Sequence, residues 1–175
     1  MRRLRILALV SLVLPCALAA PPDPQSTQPV VLPTVTAYAL DREKVTLPKD
    51  FAAPLNLLIL SFQRDQESAV EGWIPVMAPG KVQTWVLPIS GRESGLYRWW
   101  VNASLRGNMP PSLPRRYWVP LYVNKQELLH ALQVSSEKDV VLLLTDKSGH
   151  VLWRAAGPVT DSKKAALNEF VMKAH

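Results

Sequence analysis

From residue 34 onward the apolar positions fall into two rhythms, short unbroken runs of strand length and stripes that recur every three or four residues. The longest run, LNLLILSF at 55–62, shows no polar alternation, which is the pattern of a strand covered on both faces of its sheet. Two weaker strands precede it, at 34–38 and 45–47, around the polar turn Asp41-Arg42-Glu43. After it, Val70, Trp73, Ile74 and Met77 share a stripe, so the spacing predicts a helix over 65–77, with Asp65 capping its first turn and Pro75 kinking or ending it early. Residues 82–89 read as a strand and 93–106 as a helix stopped by Gly107-Asn108. On that helix Leu96, Trp99, Trp100 and Ala103 form a face assigned to the core, and Arg98, Asn102 and Arg106 a face assigned to solvent.

The proline-rich NMPPSLPRR is a loop, and 117–123 a strand demoted toward a sheet edge by Pro120. Asn124 and Glu127 have capping-box spacing ahead of a helix with Leu128, Leu129 and Leu132 inside. Residues 140–145 and 150–154 form a hairpin around DKSG, with Gly149 supplying positive φ. Thr160 or Asp161 caps a last helix carrying Leu167, Phe170 and Val171, and no internal repeat is present. This order of elements predicts an α/β domain whose mixed central sheet is covered on both faces, with right-handed crossovers between its parallel strands.

The start of the chain has another logic. Arg2, Arg3 and Arg5 precede an apolar run at 6–14, and Ala17-Leu18-Ala19 supplies a small-residue cleavage pattern. The run is shorter than the roughly 20 residues a spanning helix needs, so 1–19 reads as a signal peptide, 20–33 as a Pro-rich linker and 34–175 as the folded domain. A periplasmic or extracellular home follows. The only cysteine, Cys16, lies inside that signal, and cleavage after Ala19 removes it. Its alternative is lipidation behind Val13-Leu14, against which Pro15 argues, and only then does a membrane become a partner.

Of 20 Lys and Arg, three lie in the signal, leaving 17 against 14 acids, about +3. Nucleic acid is therefore not an expected partner, since Arg115-Arg116-Tyr117-Trp118 is short and isolated where a binding module needs a basic stripe. His130, His150 and His175 stand singly without metal-ligand spacing, and no glycine-rich loop offers a phosphate cradle, so neither metal nor cofactor is expected. Asp65 and Glu67 at a helix start are ordinarily stabilised by the helix dipole. Asn102-Ala103-Ser104 matches a glycosylation acceptor but falls within a predicted helix.

The element order and the close VVLLLTDKSGHVLWRAAGPVT resemble the thioredoxin-like superfamily, whose terminal hairpin runs from an apolar strand through Asp-x-x-Gly to a glycine before the last helix. Within it, LSFQRD, GWIPV, the 98–108 helix and VVLLLTDKSGHVLW are most similar to the branch of mitochondrial ATP synthase assembly factors. The resemblance implies a thioredoxin-like fold, and it places Gln63, Arg64, Asp65 and Gln66 where such proteins carry their reactive cysteines. It also implies a cis-proline ahead of the strand at 140, where this chain reads Ser136-Glu137-Lys138-Asp139. Thiol chemistry needs a thiolate at that helix start.

The expectation is a secreted, non-redox, non-enzymatic domain acting as a protein-binding, assembly or chaperone-like module for an unidentified protein or peptide client. Gln63, Arg64, Asp65 and Gln66 are the candidate binding groove. Arg115, Arg116 and Trp118 are a candidate interface loop, set against the reading that Trp118 is core and the arginines are solvated. The alternative class is an enzyme or redox partner that uses Asp65, Glu67 or a bound cofactor.

Overall fold

The computed structural model describes residues 29–76, 82–91, 95–108 and 110–173. The signal, Cys16, most of the linker, Met77, the 93–94 helix start and His175 lie outside the described residues. In chain order the elements are β1 (Val35–Tyr38), β2 (Lys44–Leu47), β3 (Leu55–Ser61), α1 (Glu67–Trp73), β4 (Val82–Ser90), α2 (Gly95–Asn108), β5 (Leu121–Tyr122), α3 (Lys125–Ala131), β6 (Val141–Asp146), β7 (Val151–Ala156) and α4 (Asp161–Lys173). β1 and β2 pair with each other, and the other five strands form one sheet in the order β5-β4-β3-β6-β7. β3 runs parallel to β4 and antiparallel to β6, so the sheet is mixed and the apolar run is its central strand.

Alternation along β3 divides the core. Leu58 and Leu60 join Trp85, Leu87 and Leu143 beneath the β1–β2 pair, Phe51 and α3, whereas Leu55, Leu57 and Ile59 join Val86, Leu142 and Leu144 beneath α1 and α4. Each such leucine or isoleucine contributes about 1.5–3 kcal/mol by leaving water. The polar exception within β3 is Asn56, fully buried, whose Oδ1 accepts the Trp85 indole N–H at 3.1 Å while its Nδ2 donates to the Ala53 carbonyl at 3.1 Å. Paired in this way, a buried amide costs little.

Several expectations need correction. The helix over 65–77 is three pieces: a 3₁₀ turn at Arg64–Gln66, α1, and a second 3₁₀ turn at Ile74–Val76, where Pro75 has no amide to continue the α ladder. Gly107 does not stop α2, which continues to Asn108. Asn124 precedes α3 but its side chain makes no capping hydrogen bond. The strand at 117–123 shrinks to Leu121–Tyr122 at the sheet edge, because Arg115–Tyr117 is a 3₁₀ turn and Pro120 donates nothing to a ladder.

The largest correction concerns α2, whose expected core face is turned to solvent. Leu96 is 78% exposed and Trp99 65%, with Ala103 exposed beside them, while the side chain of Trp100 lies outside the described set. The polar stripe faces the body instead. Arg98 lies over the Tyr122 ring at 5.0 Å, Asn102 Oδ1 accepts the Tyr122 hydroxyl at 2.9 Å, and Arg106 Nε donates to the Leu40 carbonyl at 2.9 Å.

The hairpin is as expected, with Gly149 at φ 89°. A Cβ there would stand 2.9 Å from Pro48 Cγ as well as requiring a left-handed backbone. Gly149→Ala is expected to lower stability by about 1–2 kcal/mol, read as a lower urea midpoint at unchanged m-value. Within the turn, Asp146 Oδ1 accepts the Ser148 and His150 amides at 2.8 and 2.9 Å, and Oδ2 meets His150 Nδ1 at 2.8 Å. Burial pulls this carboxyl upward, but the hydrogen bonds from His150 and Ser148 prevail, holding it below its ordinary 3.8. A carboxylate depressed on folding adds stability that is complete above the unfolded value and is lost as pH falls through the folded one. Acid unfolding of Asp146→Asn should therefore vary less with pH below about 4 than that of the parent.

Candidate functional site

β3 delivers the chain at Ser61 into the segment 62–66, and the side chain of Gln66 organises that segment. Its Oε1 accepts the Phe62 amide at 2.8 Å and, more weakly, the Gln63 amide at 3.4 Å, while its Nε2 donates to the Glu137 carbonyl at 2.8 Å. Gln63 Nε2 reaches the same carbonyl at 3.3 Å. Glu137 belongs to the connection before β6 and is itself held by Lys125 of α3 at 2.7 Å. Two glutamines three residues apart thus fasten the loop after β3 to the loop before β6. The cis peptide bond in the described residues is Leu47–Pro48, following β2.

Gln66 is only 6% exposed, so it is an internal clamp rather than a groove-lining residue. Gln63, Arg64 and Asp65 are exposed. The turn they open is capped by Gln66, and Asp65, which was expected to cap it, has no hydrogen bond of that kind. Polar character at 63–66 was legible in the sequence. Which glutamine is buried was not, because side chains three residues apart in a 3₁₀ turn eclipse, so spacing puts Gln63 and Gln66 on one side and only their tertiary contacts distinguish them.

Beside this loop lies a cavity of about 220 Å³, between α1 and α2 at the C-terminal ends of β3 and β4. Gln63, Arg64 and Glu67 line it from the α1 side, Ser61 and Ser90 from the strand ends, and Ser104 and Leu105 from α2. Trp118 and Tyr122 close the far wall. The structure therefore brings Gln63 and Arg64 of the first sequence candidate together with Trp118 of the second, and leaves Asp65, Gln66, Arg115 and Arg116 out of the lining. Trp118 is 4% exposed and packed in the core, whereas Arg115 and Arg116 are exposed, Arg116 lying 5.7 Å from the Tyr117 ring.

Sequence reasoning missed Tyr122 and the inward-facing stripe of α2. The available signal was Arg98, Asn102 and Arg106 at a spacing of four, which a tyrosine in a following edge strand could satisfy. Chemically the cavity offers amide, hydroxyl, indole and guanidinium donors over apolar walls, with one carboxylate, Glu67. Among the described residues no group of three or more His, Cys, Asp or Glu is placed to hold a metal ion, and no helix is long and apolar enough to cross a membrane.

No protein-family model matches the chain, and no curated protein matches it in sequence. Solved structures do match in fold. The exposed lipoprotein thioredoxin Etrx1 of Streptococcus pneumoniae superposes with a TM-score of 0.57 at 12% identity, covering 81% of this chain and 99% of its own. A putative electron transport protein of Aquifex aeolicus gives 0.55 at 12% identity, over 83% and 98% of the two chains. The thioredoxin domain of a Bacteroides vulgatus thiol-disulfide oxidoreductase gives 0.52 at 16% identity, over 83% and 99%. The fold is thioredoxin-like, as the resemblance implied.

Proposed function

We propose that this thioredoxin-like domain is a non-redox module that binds a protein or peptide client outside the cytoplasm, in an assembly or chaperone-like role. The observation that carries the reading is the pair of glutamines at the loop after β3, both of whose amides donate to the Glu137 carbonyl. Hydrogen-bonding groups fasten the loop where the resemblance places a dithiol, and the sequence's single cysteine is residue 16, within the leader-like start. Exposed Gln63 and Arg64 at the rim of a cavity supply a polar edge over an apolar interior, the composition of a recognition surface. The leader-like start supports the compartment, and the likeness to ATP synthase assembly factors supports a scaffolding role without naming a client.

The test is photo-crosslinking in the native host from a benzoylphenylalanine at position 63, with the same group at Lys147 in the β6–β7 turn as control. Discrete adducts from 63 and none from 147 are expected. Absence of adducts from 63 removes the binding-module reading. Thiol, peroxide and hydrolase assays of residues 20–175 are expected to stay at buffer level, and turnover abolished by Glu67→Gln would establish the enzymatic alternative in its place.

A further inference from the structure

Because α2 turns its polar stripe toward the body, an apolar stripe is left outside. Leu96, Trp99, Ala103 and Gly107 follow one another at intervals of three and four and all are exposed, Leu96 at 78% and Trp99 at 65%. A tryptophan brings roughly 150–250 Å² of surface, so with the leucine beside it the patch is on the order of 300 Å². Patches of that size on a soluble protein are often functional.

The area also limits what can cover it. A stable protein interface buries about 800 Å² on each partner, and pairing α2 with α2 of a second copy falls well short of that. A lipid surface asks for less, since a few apolar side chains at the headgroup boundary suffice when charge assists them, and tryptophan is a side chain that settles there.

The assisting charge lies in the same stretch of chain. Between Glu93 and Glu127 there is no Asp or Glu, while Arg98, Arg106, Arg115, Arg116 and Lys125 fall within it. The rest of residues 20–175 holds 12 Lys and Arg against 14 acids, so the positive charge of the domain is concentrated here. Lys125 is paired with Glu137, but among the described residues none of the four arginines forms an ion pair. Helical spacing sets Arg98 and Arg106 along the flank of the exposed stripe, and Arg115 and Arg116 are exposed in the 3₁₀ turn that follows the helix.

We propose that α2 is an interfacial helix that docks the domain on an anionic phospholipid surface, with Leu96 and Trp99 entering the headgroup boundary and the arginines between 98 and 116 drawing the domain to it. The contact uses no lipid on Cys16. It goes beyond the client-binding reading and does not rest on Gln63 or Arg64.

The experiment is co-sedimentation of the full chain, as purified from its own host, with vesicles of phosphatidylcholine alone or with about one third phosphatidylglycerol. Binding is expected to be at least tenfold tighter on the anionic vesicles and to weaken as salt is raised. The double substitution Leu96→Ser, Trp99→Ser should bind at least tenfold more weakly at an unchanged thermal midpoint, since both side chains are exposed. Arg115→Gln with Arg116→Gln should lose roughly tenfold or more, because each arginine near such a surface contributes about fivefold. A second readout is local to the helix. Brominated acyl chains quench tryptophan fluorescence on contact, and the quenching should fall in Trp99→Phe, whereas adhesion through residues 1–19 leaves it unchanged by that substitution. No binding to the anionic vesicles, equal binding to both vesicle types, or binding and quenching indifferent to the substitutions at 96 and 99 overturns the proposal. Self-association without vesicle binding, lost in the double variant, also overturns it and assigns the face to a second copy. Crosslinks from position 63 are read independently, so either reading can fail alone.

Discussion

Replacing Trp73 with alanine is expected to remove about 3–5 kcal/mol of stability, the largest loss from any single truncation in α1. The side chain is fully buried among Val70, Ile59, Leu57 and Leu167, and its indole N–H donates to the Gly157 carbonyl at 3.0 Å. Truncation therefore opens a void and also strands an acceptor in the connection between β7 and α4. A domain of this size is stable by about 5–15 kcal/mol, so the melting temperature should fall by roughly 10 °C or more. Trp73→Phe separates the two contributions, retaining most of the volume while losing the hydrogen bond, at about 1–2 kcal/mol. Trp99→Ala is the internal control. Trp99 is exposed, and its loss should stay within about 0.5 kcal/mol. Comparable losses at 73 and 99 in thermal unfolding would mean that α2 packs its Trp99 face inward after all.

Gln66→Leu is expected to cost about 2–3 kcal/mol although leucine is apolar and similar in length. The Phe62 amide and the Glu137 carbonyl both lose their shortest partner, and the clamp between the loops after β3 and before β6 opens. The loss should be local as well as global, so hydrogen exchange at the Phe62 amide is expected to accelerate more than exchange at the centre of β3. Gln63→Ala should cost under about 0.5 kcal/mol, because its exposed 3.3 Å bond to Glu137 is shared with Gln66. Equal losses for the two variants would show that no single glutamine carries the clamp.

The central strand was legible because an unbroken apolar run of that length fits few places other than mid-sheet, and β3 lies between β4 and β6 as expected. The hairpin was equally legible, since Asp146 and Gly149 each have a backbone reason for their position. The stripe of α2 was misread because periodicity reports that a helix has two faces without saying which is buried. A stripe carrying two tryptophans predicted the core side, yet three polar residues found partners in Tyr122 and Leu40 and turned the helix.

By itself the sequence determined the thioredoxin-like order of elements, the mixed sheet with its buried centre, and the absence of cysteine from residues 20–175. Those properties are local or compositional, fixed by which residue types recur at which interval. Only the tertiary structure decided that Gln66 is a clamp and Gln63 a rim residue, and that Trp118 shares a cavity with Arg64. Such pairings join residues more than fifty positions apart, and their geometry is set by how α1, α2 and the edge strand pack, which no spacing along the chain records.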